Sequence, residues 1–140
     1  MAKLPEDVLA LIEEPVSVKV LATVDKDKVV NVVPISSIKA IDDETLAFAC
    51  SLQGKTKENV EETRRSVIGI YQPPIEGYQI KGTFIKWHTS GELYDQFVEE
   101  VNEMMQSLGL SAPDKLDAVG VIKVTEAYAL SLPMAGEKVA

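Results

Sequence analysis

The residues of this chain whose types and spacing could do chemistry lie close together in the stretch ACSLQGKTKENV, residues 49–60. Gly54, Lys55 and Thr56 form a GKT sequence, and the polar segment after them predicts a short helix that begins near Lys55. A flexible glycine, the unpaired N–H groups of a first helical turn, a hydroxyl group and ammonium groups together make a generic phosphate site. The simpler alternative is a solvated loop between a strand and a helix, whose lysines only promote solubility.

The GKT sequence is not part of a complete nucleotide-binding P-loop. That motif needs a glycine at both ends of a GxxxxG span, and Ala49 occupies the first of these positions. The motif also belongs to parallel strands joined by crossover helices, whereas this chain has mostly hairpin-connected strands, which favour an antiparallel sheet or barrel. A nucleotide hydrolase is therefore disfavoured, and a phosphate site of another kind is left open.

The composition limits the other classes of function. A chain of 140 residues fits one domain, and its net charge of -8 repels nucleic acid and anionic membranes, so an anionic ligand must be captured locally. With one cysteine and one histidine, the chain has no intrachain disulfide, and neither a structural zinc site nor another metal site is expected. Because no long apolar segment is present, the sequence predicts a cytoplasmic protein without a membrane span.

The hydrophobic periodicity predicts a mainly β chain with an N-terminal helix and a longer helix near 90–108. Thr89 and Glu92 have the spacing of a capping box at the start of that longer helix. Pro34 lies within the second predicted strand, where its missing N–H indicates a bulge, a bend or a sheet edge. The tail, residues 134–140, is expected to fray. The six predicted strands are 17–24, about 29–41, 45–50, 66–71, 78–88 and 117–132.

Three runs of sequence, taken in order, resemble a known family. They are ATVDKDKVVNVVP, TLAFACSLQGKTKENVEETRRSVIGIY and GYQIKGTFIKWHTSGELYD. They resemble the FMN-binding split-barrel family related to pyridoxamine 5'-phosphate oxidase, and in particular its small single-domain members. The resemblance covers about residues 6–98, and the last predicted strand fits the same barrel. It implies that residues 1–140 form one six-stranded antiparallel Greek-key split barrel, which forms a homodimer with FMN bound in clefts at the subunit interface.

The resemblance also implies which residues hold the cofactor. A lysine-threonine-x-x-asparagine segment holds the FMN phosphate in such proteins, and Lys55, Thr56 and Asn59 match it. Two residues directly precede this phosphate segment. In such proteins a strand with an asparagine before a proline lines the isoalloxazine ring. The GYQIKG strand also approaches the flavin. The residues assigned in this way are Ser51 and Leu52 before the phosphate segment, Asn31, Val32, Val33, Pro34, Ile35 and Ser36 at the ring, and Gln79 or Lys81 on the GYQIKG strand.

The sequence departs from the family pattern in two places. Lys28 and Val30 stand where the family often has glycine and proline in the first hairpin, which alters the turn without removing a ligand contact. The true oxidases bind the substrate phosphate through arginine and histidine near the C-terminus, but the arginines here are Arg64 and Arg65, and no histidine follows His88. We therefore do not expect oxidation of pyridoxamine phosphate, and no residue is a convincing catalytic acid or base.

Taken together, these features predict an FMN-binding flavoprotein, either a small oxidoreductase of unknown substrate or an electron-transfer protein. The flavin would supply the redox chemistry, and the protein would set its orientation, access and potential. The alternative is a non-catalytic binding module of the same fold that takes haem or a deazaflavin, or that stores flavin. The expected partners are a second copy of the chain and a small-molecule or protein electron donor or acceptor, with no nucleic acid and no membrane.

Overall fold

The computed structural model describes residues 2–35, 37–50, 54–74, 76–111, 116–130 and 133–140, with Cys50 described by its backbone alone. These residues contain three helices and seven strands. The helices are α1 (Glu6–Glu13), α2 (Lys55–Thr63) and α3 (Glu92–Ser107). The strands are β1 (Val18–Val24), β2 (Val30–Pro34), β3 (Ile38–Asp42), β4 (Thr45–Cys50), β5 (Arg65–Gln72), β6 (Glu76–His88) and β7 (Ala118–Ala129).

All seven strands belong to one antiparallel sheet in the order β2-β1-β5-β6-β7-β4-β3. The outer strands β2 and β3 follow each other in the chain, separated only by residues 35–37. Such a link spans about 14 Å at most, whereas the outer strands of a flat seven-stranded sheet lie about 29 Å apart. The sheet must therefore curl until its edges approach each other. This is the mainly β split barrel that the sequence predicted.

One predicted strand is two strands in the structure. The segment 29–41 breaks after Pro34 into β2 and β3, so the sheet has seven strands in place of six. Pro34 pairs with Val20 as the last residue of an outer strand, a position that tolerates a residue without an N–H. The next N–H, that of Ile35, donates to the Lys19 carbonyl at 2.9 Å, and the chain then leaves β1. Of the three alternatives predicted for Pro34, a bulge, a bend or a sheet edge, the structure shows the sheet edge.

The interior of the barrel is filled by alternate strand residues and by α1. Val8, Leu11 and Ile12 of α1 are buried, and they are the apolar face of an amphipathic helix. Each such side chain contributes about 1.5–3 kcal/mol when fully buried, so α1 helps to hold the curled sheet in shape. The strand residues that pack with this helix in the main core include Leu21, Phe48, Ile68, Ile80 and Ile122.

Helix α3 packs on a second, smaller core through Phe97 and Val101. Its N-cap is Gly91, whose φ of 98° is a backbone conformation that favours glycine. Thr89 is therefore not the N-cap, and the predicted capping box is wrong. Glu92 is the first helical residue rather than the third, so its side chain is not placed to reach back to Thr89.

The C-terminal tail was expected to fray, but in the structure it pairs with β7. The N–H of Val139 donates to the Ala127 carbonyl at 2.9 Å, and the N–H of Ala129 donates to the Glu137 carbonyl at 2.8 Å. Strand β4 covers only residues 118–123 of β7, which leaves one edge of the following residues open to another strand. The tail occupies that edge because unpaired backbone groups gain hydrogen bonds there.

Candidate functional site

The N-terminus of α2 lies where the sequence predicted a phosphate-binding segment. Gly54 precedes the helix with a φ of 126°, a conformation that L side chains rarely adopt. The first intrahelical bond runs from the N–H of Glu58 to the Gly54 carbonyl at 3.2 Å. The N–H groups of residues 55–57 therefore have no carbonyl within the helix to donate to. Together with the positive end of the helix dipole they favour an anion at this end of α2.

A hydrogen bond joins two predicted site residues that are far apart in the chain. Asn31 Nδ2 on β2 donates to Thr56 Oγ1 in the first turn of α2 at 3.1 Å. The family resemblance assigned Asn31 to the ring-binding strand and Thr56, 25 positions later in the chain, to the phosphate segment. The structure thus brings the start of β2 against the start of α2, as one binding site for both parts of a ligand requires.

Lys55 is exposed and lies between two carboxylates. Its Nζ is 3.5 Å from an oxygen of Asp25 and 3.5 Å from an oxygen of Glu58. Partial desolvation lowers the pKa of Lys55, but Glu58 and Asp25 outweigh this effect and raise it, so the side chain is held as an ammonium ion. An incoming phosphate must compete with these carboxylates for the ammonium group.

Asp25 is the residue that fixes this arrangement, and the sequence analysis did not single it out. Its Oδ1 accepts the N–H groups of Val29 and Asp27, each at 2.9 Å, across the turn between β1 and β2. The bond from Val29 is the largest reason that the pKa of Asp25 is lowered; Lys55 adds a smaller effect in the same direction. An aspartate at the start of the DKDK turn is the signal that could have identified it, since aspartate side chains accept N–H groups in tight turns.

Asn59 is placed differently from the other members of the predicted phosphate segment. The residue is fully buried, and its Nδ2 donates to Thr23 Oγ1 on β1 at 3.0 Å. Its Oδ1 is also buried and has no hydrogen-bond partner among the described residues. This placement fits a residue that holds α2 against β1 rather than one that touches a phosphate directly. The pairing with Thr23, 36 residues away, has no local signal in the sequence.

The predicted ring-lining residues are divided between the two faces of β2. Val32 is exposed on the outer face, and Pro34 follows on that same face two residues later. Val33 packs against the main core and Ile35 is buried, so these two point inward with Asn31. Three further predicted residues, Ser36, Ser51 and Leu52, lie outside the described residues.

Gln79 and Lys81 lie on β6, away from the N-terminus of α2. They pair with Gly69 and Val67 of β5 in the sheet. Lys81 Nζ lies 3.8 Å from a Glu126 oxygen and 5.2 Å from the centre of the Tyr128 ring. Lys81 also lines an open groove of about 470 Å³ on the outer side of the sheet, with Ala22, Val24, Val30, Arg65, Thr125 and Glu126 among its other residues. Within one subunit, the described residues thus place Lys81 in a different location from Asn31, Lys55 and Thr56.

Two classes of feature are absent from the ranges that the structure describes. No helix in them is long and apolar enough to cross a membrane. Nor does any group of three or more histidine, cysteine, aspartate and glutamate side chains in those ranges have a geometry suited to a metal ion.

Comparisons with known proteins identify a family and a fold. Residues 4–131 match the pyridoxamine 5'-phosphate oxidase family. No curated protein matches the chain. Among solved structures, an FMN-binding protein from Syntrophomonas wolfei subsp. wolfei has a TM-score of 0.79 at 24% identity, covering 91% of this chain and 86% of its own.

Two further structures share the fold. HupZ from Group A Streptococcus has a TM-score of 0.74 at 24% identity and covers 96% of this chain and 98% of its own. HutZ, a haem storage protein from Vibrio cholerae, has a TM-score of 0.64 at 15% identity and covers 91% of this chain and 95% of its own. At these identities the likeness concerns the fold alone, and the fold hosts ligands of more than one kind.

Proposed function

The chain belongs to the pyridoxamine 5'-phosphate oxidase family, and on that basis we propose that it is an FMN-binding flavoprotein acting as a small oxidoreductase or an electron-transfer protein. The observation that carries this proposal is the hydrogen bond from Asn31 Nδ2 to Thr56 Oγ1. It joins the strand that the family resemblance assigns to the flavin ring to the helix that it assigns to the phosphate. FMN has both parts, so its site needs these two elements side by side.

The groups around Thr56 fit the phosphate of FMN. The Thr56 oxygen accepts its hydrogen bond from Asn31, which leaves the hydroxyl proton for a phosphate oxygen. Among the described residues, no heavy atom lies within 4 Å of the place that a Cβ on Gly54 would take, so a ligand has room to approach the backbone there. A phosphate dianion would gain the N–H groups of the first turn and the helix dipole as well.

Lys55 would supply the local positive charge in an acidic protein. The net charge of -8 repels anions at long range, which makes a local cation necessary for phosphate binding. Asp25 and Glu58 keep the ammonium group close to the helix N-terminus, 3.5 Å from each carboxylate. A phosphate that displaces one carboxylate exchanges one ion pair for another and adds the hydrogen bonds of the helix.

Bound FMN would supply hydride or single-electron transfer, and the chain would bind and orient it. Asn31 and Thr56 would fix the phosphate relative to β2, while the buried Asn59 keeps α2 in place on β1. Val32 and Pro34 would give an apolar surface on the outer side of β2 for the ring. None of these residues has the chemistry of a catalytic acid or base.

Oxidation of pyridoxamine phosphate is not part of the proposal. Arg64 donates from one guanidinium nitrogen to the carbonyls of Phe84 and Ile85 at 3.3 and 3.1 Å, so it connects the end of α2 to β6. Arg65 is the other arginine, and it lies in the outer groove beside Lys81. Neither residue belongs to a C-terminal substrate-phosphate site of the kind that the true oxidases have.

A homodimer is also part of the proposal. The outer face of β2, β1 and β5 exposes Val18, Val30, Val32 and Tyr71. A continuous apolar surface of this kind is characteristic of a protein–protein contact. A two-fold contact through this face would bury it and could bring the outer groove of one subunit toward the α2 site of the other. Lys81 would then be able to approach the flavin, as the family resemblance implies.

The phosphate assignment is tested by comparing FMN with riboflavin, which lacks the phosphate. We expect Thr56→Ala to weaken FMN binding about tenfold, because a hydrogen bond to a charged group contributes about 1.5–3 kcal/mol. Riboflavin affinity should stay within about twofold of the wild type, since its binding does not use this group. Fluorescence titration of flavin quenching measures both affinities.

The matched control is Thr89→Ala, which changes an exposed threonine outside the site. It should leave both flavins unaffected. Equal weakening of FMN and riboflavin in Thr56→Ala would contradict the phosphate role. A purified protein that carries haem, or that is colourless and does not take up FMN, would contradict the proposed function itself.

A further inference from the structure

Lys19 breaks the pattern of the strand that contains it. Inward positions of β1 alternate with outward ones, and Lys19 stands on the inward side with Leu21 and Thr23. Only 8% of the residue is exposed, although lysine is among the residues least often buried. A buried lysine on the inward side of a strand breaks the usual rule that inward positions are apolar. Residues that break such rules are concentrated at functional sites.

A cavity of about 690 Å³ adjoins Lys19 where the barrel is split. It lies between the end of α1, the start of β1, residues 34 and 35 at the end of β2, the start of β3, and α3. Both polar and apolar residues line it, and the charged residues among them are Glu13, Lys19, Lys39 and Glu100. The apolar side chains that line it are Ile12, Pro15, Val18, Pro34, Ile35, Ile38 and Met104.

The two lysines of this cavity differ in their partners. Lys39 forms an ion pair with Glu100. Lys19 Nζ donates to the Glu14 carbonyl at 3.1 Å, and no carboxylate of the described residues lies within ion-pair distance of it. Burial lowers the pKa of Lys19, and the negative charges of Glu13 and Glu14 only partly offset that effect.

The single hydrogen bond to the Glu14 carbonyl does not satisfy the buried ammonium group of Lys19. The bond to the Glu14 carbonyl helps to cap the C-terminus of α1, a common use of lysine. An ammonium group has three donors, and a buried charge is costly unless it is paired. A carboxylate would supply the missing charge, and the apolar side chains that line the cavity would suit a hydrocarbon chain attached to it.

We propose that this cavity binds a small amphipathic carboxylate, whose carboxylate group pairs with the Lys19 ammonium and whose hydrocarbon part lies against Ile12, Ile38 and Met104. The site is independent of the proposed phosphate site, which lies at the other end of β1 beside Thr23. Pro34 and Ile35 line the cavity and are also among the residues assigned to the flavin ring. The experiment must therefore separate the two ligands.

The probes are hexanoate and 1-hexanol, which share a hydrocarbon chain and differ in charge. Isothermal titration calorimetry with the full chain, in the presence and absence of saturating FMN, measures their affinities. We expect hexanoate to bind, and Lys19→Met to weaken it by about tenfold or more while 1-hexanol changes by less than about twofold. FMN should not displace hexanoate.

Two further variants complete the test. The double variant Lys39→Met/Glu100→Gln removes the paired charges of the same cavity without changing its net charge, and it should keep hexanoate affinity within about twofold. If Lys19→Met does not fold, Met104→Trp fills the cavity from α3 and should abolish binding of both probes. The inference is overturned if wild-type protein does not bind hexanoate, if Lys19→Met binds it equally, if FMN displaces it, or if Met104→Trp still binds both probes.

Discussion

At the scale of single residues, Asp25 has two structural roles. Its carboxylate accepts the N–H groups of Asp27 and Val29 in the β1–β2 turn and also lies 3.5 Å from the ammonium of Lys55. The residue is 8% exposed, so these contacts are partly shielded from water. One side chain thus shapes the hairpin and sets the position of the cation that we propose for phosphate binding.

Asp25 should make the stability of the protein depend on pH in the acidic range. Its folded pKa is lowered below the ordinary value of 3.8, chiefly by the Val29 N–H, so the ionised form stabilises the fold. That stabilisation is present above the ordinary pKa and is lost as the pH falls through the folded pKa. We expect Asp25→Asn to lower the melting temperature at pH 7 and to reduce its fall between about pH 5 and pH 2, measured by circular dichroism.

The control for this experiment is Asp43→Asn, because among the described residues the Asp43 carboxylate has no hydrogen bond or ion pair. The substitution keeps the Asp43 backbone carbonyl, which accepts the Leu4 N–H at 2.7 Å. Its melting temperature should follow that of the wild type across the same pH range. A pH dependence in Asp25→Asn that is as steep as in the wild type would show that other carboxylates dominate acid unfolding.

Lys28 is one of the single residues at which the sequence departs from the family pattern. Its φ of 65° is in the left-handed region, where glycine is at ease and a lysine costs about 1 kcal/mol. The glycine that the family often has in this turn suits the same backbone. The Asp25 side chain accepts two N–H groups across this turn, which helps to offset the cost of the lysine.

At the scale of elements, α2 is held on the sheet by side-chain hydrogen bonds rather than by a large apolar face. Val60 is the one fully buried apolar residue of α2. Asn59 Nδ2 donates to Thr23 Oγ1 at 3.0 Å, and Thr63 Oγ1 donates to the Val24 carbonyl at 2.9 Å. These two bonds connect one side of α2 to β1, and they determine where its N-terminus points.

A double-mutant cycle measures this attachment. Asn59→Ala and Thr23→Ala should each destabilise the protein, and the pair should show a coupling free energy of about 1 kcal/mol, as expected for a buried hydrogen bond. Urea unfolding of the wild type, both single variants and the double variant gives the coupling. Thr23→Ala combined with the distant Thr89→Ala is the reference pair, for which the effects should simply add. Additivity between Thr23 and Asn59 would mean that their hydrogen bond does not hold the helix.

Most elements could be predicted from the sequence because each has a local signal. Strand periodicity, the polar start of α2 near Lys55 and the apolar face of α1 were all sufficient. The longer helix was predicted correctly near 90–108, but its capping box was wrong because the positive φ of Gly91 could not be distinguished from that of an ordinary loop glycine. The tail was misjudged because its pairing depends on an edge of β7 that only the assembled sheet leaves open.

At the scale of the whole molecule, the curled sheet decides which residues meet. The sequence predicted the segments of the site through the family resemblance, and the structure brings Asn31 and Thr56 together. It does not bring Lys81 to them within one chain, and it turns Asn59 into the protein interior. Both results depend on contacts between distant strands, for which a single sequence has no local signal.

The separation of Lys81 from the α2 site is the reason to expect a dimer. A second copy that docks through the outer face of β2 would cover Val30 and Val32, which are 78% and 62% exposed. Interfaces of stable homodimers are apolar at their centre, so a buried charge there should be strongly unfavourable. We therefore expect the wild type to be a dimer by light scattering, and we expect Tyr71→Glu to be a monomer, because it places a charge on the same face of the sheet outside the predicted ring-lining residues.

The same variant tests whether dimerisation is needed for the cofactor. If the second subunit completes the site, Tyr71→Glu should weaken FMN binding by about tenfold or more as the dimer dissociates. Leu108→Glu adds the same charge at a leucine that is 64% exposed at the C-terminus of α3, outside β2, β1 and β5, and should remain a dimer with unchanged affinity. A wild-type monomer that binds FMN at full strength would contradict the shared site. Lys81 would then have to be given a role within its own subunit, at the outer groove that it lines with Arg65.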